Sequence, residues 1–382
     1  MDLLGESVVP ANAIDTKRRA QSFAREHVKP AAGEYFESGE YPMDVIEAAR
    51  EKGLVAQEIS KEYGGAGRSV GEAVATAEEF FRADAGIGLA LMGQSFGTGI
   101  LEQFGTEKQK DTYLRPIAAG EMITGMAISE PETGSDLAGM ETSATKEGSE
   151  WVLNGEKYWI GNGVEADWIL VYVCTEETDD RHDNHSLFIV PTDSDGYDAE
   201  HIPKKIGMHA SKQSHITFEN CRVPQENLVG ERGEGFRMVA EFFNHGRTRV
   251  AAQGIGLAAA AIEEAWAFVH DREEFGRSVS DFQSVRHDLA DMRTQFESAR
   301  TLLWHAVERL ESDEDAAEWA AMAKLNATET AADCAQTAIR LHGGWGVLDE
   351  SRIGRIYRDV RMPMVYEGVS EIQRDIVYEN FA

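Results

Sequence analysis

Near the C-terminus, Tyr366-Glu367-Gly368 follows Pro363 and precedes Ser370-Glu371-Ile372-Gln373. A carboxylate wedged between an aromatic ring and a glycine can be desolvated, which raises its pKa and makes it a competent general base. On spacing alone the commoner reading is a surface acid, one of 67 Asp and Glu. Trp159-Ile160-Gly161-Asn162-Gly163 ends a strand pattern. Its indole could stack on a planar cofactor, although spacing favours plain core packing. Ser129-Glu130-Pro131-Glu132-Thr133-Gly134-Ser135-Asp136 is a polar, turn-forming loop that offers hydroxyls and backbone N–H groups to an anion or a carbonyl. Leu341-His342-Gly343-Gly344-Trp345-Gly346 follows a helix; its glycines permit close approach of a ligand, or simply cap the helix.

Several common chemical signatures are missing. There is no G-x-x-x-x-G-K-[ST] loop, no G-x-S-x-G elbow and no H-E-x-x-H pair. Gly254-Ile255-Gly256 lies in an Ala-rich helical stretch with no strand ahead of it, so it reads as close-packing glycine. His182 and His185 could be a metal pair, but the acidic segment around them reads better as a solvated hairpin loop, and no metal is expected. Cys174, Cys221 and Cys334 are far apart, which argues against a disulfide framework or a thiolate zinc site.

The elements that must position these residues fall into three stretches, 1–120, 121–231 and 232–382. The first is helical, with Val45-Ile46 and Ala49 on one stripe and breaks at Tyr63-Gly64-Gly65 and Phe104-Gly105. A helix from Glu107 to Leu114 should stop before Pro116. The second is β: Trp151–Leu153, a turn at Asn154-Gly155, Lys157–Ile160, then Trp168–Val173, Ser186–Val190 and His215–Phe218. An antiparallel barrel or sandwich is expected. In the third, helices are predicted over Gly254–His270, Ser284–Glu311 and Asp315–Leu341, packed as a bundle. The fold class is therefore α+β and multi-domain.

Of 382 residues, 42% are apolar, enough for a sizeable core, and 37 basic against 67 acidic side chains give a formal charge of −30. That field disfavours nucleic acid and anionic membrane surfaces. The acid is spread along the chain, with a short run at Glu176–Asp180, and Lys is scarce. This pattern suggests a protein kept soluble in concentrated salt. The N-terminus lacks a basic region followed by an apolar one, and no apolar run approaches a bilayer span, so a cytoplasmic protein is expected.

Taken in order, these segments resemble the acyl-CoA dehydrogenase family, a short-chain or branched-chain-like member. The resemblance runs over nearly the whole chain. It includes Tyr63-Gly64-Gly65, Phe104–Glu107, Ser129–Asp136, Trp159–Asn162 and Phe218–Pro224. It continues through Arg272-Glu273-Glu274-Phe275-Gly276-Arg277, Phe282-Gln283, Gly343-Gly344 and Tyr366–Arg374. It implies a helical domain, a β domain and a C-terminal four-helix bundle, with bound FAD and a homotetramer. Glu367 would remove the α-proton of an acyl-CoA thioester while a β-hydride passes to flavin, and electrons would leave to an electron-transfer flavoprotein. Ser129 and Trp159 would contact the flavin. Arg272, Phe275 and Gln283 would reach FAD on a neighbouring subunit, with Gly343, Gly344 and Gln373 also on the cofactor side. Ser135, Asn244, Arg247, Tyr366 and Gly368 would meet the substrate.

Some relatives carry the base at the position of Gly246, so here Glu367 has no obvious rival. Four residues depart from the family's habit: Gly161 and Val369 lack a usual hydroxyl, Arg340 replaces a common Gln, and His209 replaces a frequent Arg. Two alternatives to a dehydrogenase remain open at this stage. One is an oxidase that uses oxygen; the other is a non-catalytic scaffold subunit.

Overall fold

Ser69 and Thr106 each open a helix with a reciprocal cap. The Ser69 hydroxyl accepts from the Glu72 N–H while the Ser69 N–H donates to the Glu72 carboxylate at 3.1 Å; Thr106 and Gln109 repeat the exchange. These caps belong to a seven-helix N-terminal layer: α1 (Ala11–Phe23), α2 (Lys29–Ser38), α3 (Met43–Glu51), α4 (Val70–Ala83), α5 (Ala85–Met92), α6 (Thr98–Phe104) and α7 (Glu107–Ala119). The structure, a computed structural model, describes residues 5–6, 8–176, 178–312 and 314–381. The first four residues, read above for a leader, and Glu177 of the acidic run lie outside that range.

Helix α7 does not stop ahead of Pro116 but carries it in its last turn. The proline removes one N–H near the end of the helix. Gly120, left-handed at φ 75°, closes the helix on Ile117 and Pro116 carbonyls.

The chain then forms β1 (Thr124–Ala127), β2 (Ser143–Glu147), β3 (Glu150–Gly161), β4 (Trp168–Cys174), β5 (His185–Pro191), β6 (Tyr197–His201), β7 (Gln213–Pro224) and β8 (Leu228–Val229). Their order is β6-β7-β3-β2-β4-β5-β8, with β1 against β4. Pairing is antiparallel except that β1 runs parallel to β4 and one β2–β4 pair is parallel. Asn154-Gly155 is not a hairpin turn. It is a register shift within the single strand β3, where Gly155 at φ 138° lets the chain pass Thr142: an added Cβ would sit 2.7 Å from Thr142 Cα.

Helix α8 (Gly235–Asp271) begins well ahead of the expected Gly254 and runs through the middle of the molecule. A small hairpin, β9 (Glu273–Glu274) with β10 (Arg277–Ser278), leads into α9 (Gln283–Glu311), α10 (Ala317–His342), α11 (Arg352–Asp359) and α12 (Ser370–Phe381). Gly254 and Gly256 are packing glycines, as their Ala-rich setting suggests. A Cβ on Gly254 would lie 2.8 Å from Ala327 C, and one on Gly256 2.9 Å from Arg82 N, so α10 and α4 press on the α8 backbone. Buried ion pairs tie α1, α4 and α9 together: Lys17 to Glu78 at 2.7 Å and Arg300 to Glu78 at 2.9 Å. Among the described residues no helix is long and apolar enough to cross a membrane.

Candidate active site

Glu367 sits on the loop between α11 and α12 with φ 56°, and Gly368 follows at φ 85°. A left-handed conformation is uncommon for glutamate and has to be held by its surroundings. Gln373, buried on α12, donates from Nε2 to the Glu367 carbonyl at 3.1 Å and the Gly368 carbonyl at 2.8 Å. A Cβ on residue 368 would lie 2.6 Å from that Nε2, so the close brace requires glycine. Glu367 is therefore no surface acid: its Oε2 is enclosed and has no hydrogen-bond partner. Burial raises its pKa to about 7 against the opposing charges of Lys324, Arg247 and Arg249. The neighbouring Tyr366 hydroxyl donates to Gln253 Oε1 at 2.5 Å, and burial holds its pKa well above the ordinary value.

Helix α8 supplies the opposite wall. Arg247 donates from Nη1 to Asn244 Oδ1 at 2.7 Å, while its buried Nε has no partner. Gly246, one residue earlier, leaves space that the Glu367 carboxyl takes. The structure thus gathers Glu367, Tyr366, Gly368, Gln373, Asn244 and Arg247 into one region, held from α8, α10 and α12.

The sheet contributes a second surface. Register shifts between Lys157 and Ile160 turn the chain, and Trp159 adopts φ 67° with 60% of its surface exposed. This overturns the core-packing reading: the bulge aims the indole outward. Ser129 is held beside it, its carbonyl accepting from the Tyr158 N–H at 2.9 Å. The next residue, Glu130, is buried and accepts from the Glu141 and Thr142 N–H groups, each at 2.8 Å, and from Lys157 Nζ at 2.9 Å. Burial alone would raise the Glu130 pKa; Lys157 and these bonds hold it below its ordinary value. Asn162 joins this edge to the N-terminal layer, accepting from the Tyr41 hydroxyl at 2.9 Å and donating to Gly93 O at 2.9 Å. Ser135 lies exposed farther out on the same loop.

Arg272, Phe275 and Gln283 stand apart from both surfaces, on the exposed connection from α8 to α9. Arg272 pairs with Glu274, Gln283 opens α9, and Phe275 is 92% exposed at φ 53°. Its ring meets only the edge of Phe282, centroids 6.1 Å apart, and otherwise projects into solvent. Gly343, at φ 57°, is the C-cap of α10, and a Cβ at Gly343 or Gly344 would meet nothing within 4 Å. Gly343 thus caps the helix, with unobstructed space beside both glycines.

Two of the departures from the family pattern have local partners. Arg340 is engaged with Asp288 on α9 at 2.8 Å. His209 is buried, stacked on Phe36 with ring centroids 3.9 Å apart and joined to Phe36 O at 2.6 Å. A Cβ at Gly161 would meet nothing within 4 Å, so packing does not account for glycine there. Nothing in the structure explains valine at 369.

An exposed, left-handed indole, an adjacent hydroxyl loop and open glycine backbone fit a planar, phosphate-bearing group such as FAD. Ser129 and Trp159 would hold its ring end in one subunit. Arg272, Phe275, Gln283, Gly343 and Gly344 are exposed. His182 is exposed and pairs with Asp180, as a solvated loop predicts. His185 is not: it begins β5, buried and stacked on Tyr172, with Nε2 3.0 Å from Met140 O. Among the described residues no group of three His, Cys, Asp or Glu could hold a metal ion.

Sequence reasoning missed Lys324, Gln253 and the Glu130–Lys157 pair. A signal existed for the lysines: each is one of few in the chain and lies in phase with buried neighbours, Lys324 on an Ala-rich helix and Lys157 on a core-facing strand position.

Three successive models describe this architecture: acyl-CoA dehydrogenase N-terminal, middle and C-terminal domains match residues 12–121, 125–221 and 233–382. The short-chain-specific acyl-CoA dehydrogenase of Clostridium acetobutylicum is 34% identical over 362 residues, covering 94% of this chain and 95% of the relative. The butyryl-CoA dehydrogenase structure from Megasphaera elsdenii superimposes with a TM-score of 0.94 at 30% identity, covering 97% of this chain and 98% of that one. A Mycobacterium smegmatis glutaryl-CoA dehydrogenase, whose structure holds FADH2, superimposes at 0.93 with 27% identity, covering 99% and 96%. Fold and site define a flavin-dependent oxidoreductase. The chain belongs to the acyl-CoA dehydrogenase family.

Proposed function

We propose that this protein dehydrogenates an acyl-CoA to the trans-2-enoyl-CoA, with Glu367 as the base that removes the α-proton. The observation that carries this reading is the enclosed, unpartnered Glu367 Oε2 on a carboxyl whose pKa burial raises to about 7. A proton next to a thioester carbonyl is weakly acidic, so its removal needs a desolvated base of matched pKa. Glu367 deprotonates near neutral pH, and Tyr366 and Gln373 keep its main chain in place. Arg247 and Asn244 border the substrate side, and Ser135 lies where the CoA chain would leave. Bound FAD would supply the acceptor for the β-hydride. The electrons would then pass to an electron-transfer flavoprotein.

The subunits would assemble as a homotetramer in the cytoplasm, so that the Arg272–Phe275–Gln283 segment of one completes the cofactor site of the next. The chain length of the acyl group is read from a panel of C4 to C16, branched and dicarboxylic acyl-CoAs, with short straight or branched chains expected to turn over best. Reduction by butyryl-CoA without air, followed by air, separates dehydrogenase from oxidase: rapid reoxidation with peroxide release would sink the dehydrogenase reading. The decisive variant is Glu367→Gln. It should keep FAD and lose at least ~10²-fold in turnover, the lower range for a positioned general base; a near wild-type rate removes the assignment.

A further inference from the structure

Lys324 is the buried charge that the proposed reaction leaves without a task. It lies on α10, 1% exposed, amid alanines. Its ammonium donates to the Tyr366 carbonyl at 2.6 Å and to the Gly368 carbonyl. Those carbonyls flank Glu367, and Gln373 takes the remaining one, so three successive peptide oxygens are held by two side chains from two helices. Gly368 takes its positive φ freely, but the left-handed conformation of Glu367 is uncommon for a residue with a side chain and is held by this restraint.

We propose that Lys324 is a positioning residue for the base: its two bonds fix the left-handed turn at 367–368 that aims the Glu367 carboxylate at Gly246. The inference rests on Glu367 being the base. The charge of Lys324 acts on the same group. Glu367 faces Arg247 and Arg249 from α8, Lys324 from α10, the uncharged Gln373 from α12 and Tyr366 on its own loop. Lys324 is the largest of the charges that oppose the raised Glu367 pKa. Burial pushes Lys324 itself down to about 8, with Glu367 holding it up and Arg247 pressing it further down. With its pKa lowered to about 8, Lys324 can lose its charge close to the working range.

The test uses full-length holoenzyme, with Lys324→Met and Lys324→Gln beside Glu367→Gln. Lys324→Met should keep its flavin, lose at least ~10-fold in kcat with a smaller change in KM, and move the acid limb of the pH–rate profile upward by about one pH unit, because a cation that favours the carboxylate is gone. Lys324→Gln keeps amide donors for the carbonyls and removes only charge. It should show the same upward shift with a milder loss of kcat. A folded, flavin-loaded Lys324→Met enzyme with wild-type kcat and an unmoved limb overturns the proposal. So does failure of both variants to fold, since the lysine would then serve the fold and not the loop. An active Glu367→Gln enzyme removes the base assignment itself, whereas an inactive one beside unshifted Lys324 variants removes only the role of Lys324.

Discussion

The carboxyl group of Glu367 occupies the volume that a side chain at Gly246 would need. A Cβ built on Gly246 lies 2.9 Å from Glu367 Cδ and closer still to Oε2. The two positions are 121 residues apart in sequence, yet a side chain at 246 could be fitted only by moving the Glu367 carboxyl. Gly246→Ala should therefore displace the carboxylate by a fraction of an ångström or more. Because catalysis depends on alignment at that scale, kcat should fall at least ~10-fold while flavin content is kept. An alanine variant with wild-type kcat would show that the loop yields without consequence.

The pKa of Glu367, raised to about 7, fixes the direction of the pH dependence. The base works ionised, so kcat/KM should climb with pH and be half-maximal near 7. Stability runs the other way. A carboxyl whose folded pKa lies above its unfolded value binds its proton more tightly in the fold. Its contribution is complete below the ordinary carboxyl range and is lost as pH rises through about 7. Thermal denaturation of Glu367→Gln between pH 5 and 8 should consequently lose less Tm with rising pH than the wild type does.

Phe275 and Arg272 test the completion of the site by a second subunit. Both are exposed within one chain, on the connection from α8 to α9. Arg272→Ala should reduce flavin absorbance per subunit after gel filtration. Undiminished occupancy at the same protein concentration would count against a shared cofactor site.

Salt should matter more here than for a balanced surface. At a formal −30, the protein would have to gather the proposed polyanionic cofactor and CoA thioester against its own field. At 1 M salt the Debye length is about 3 Å, so that field is largely screened. We expect both activity and assembly to rise with salt to molar levels, followed by turnover assays and light scattering across a salt series. Best activity in dilute buffer would refute a salt-adapted surface.

Much of this was legible in the residues. Helical spacing, strand runs, capping residues and the ordered motifs from Tyr63 to Arg374 are local properties, and they determined the element types and the family. Turn chemistry was less reliable. Asn154-Gly155 and Pro116 carry the right residues for a break, but pairing with β7 and a nearby Gly120 cap absorbed them into continuous elements.

What the tertiary structure decided is which side chains lose water and which charges they then face. Glu367 and any other glutamate look alike in sequence, and so do Trp159 and a core tryptophan. Desolvation of Glu367 is set by α8, α10 and α12 together, and the outward turn of Trp159 by a register shift against β7. Lys324 shows the same limit, since its carbonyl partners lie 42 and 44 residues downstream. Burial and electrostatic field are sums over neighbours from distant parts of the chain. The sequence by itself determined the parts and their order; only their packing turned one acid among 67 into the candidate base.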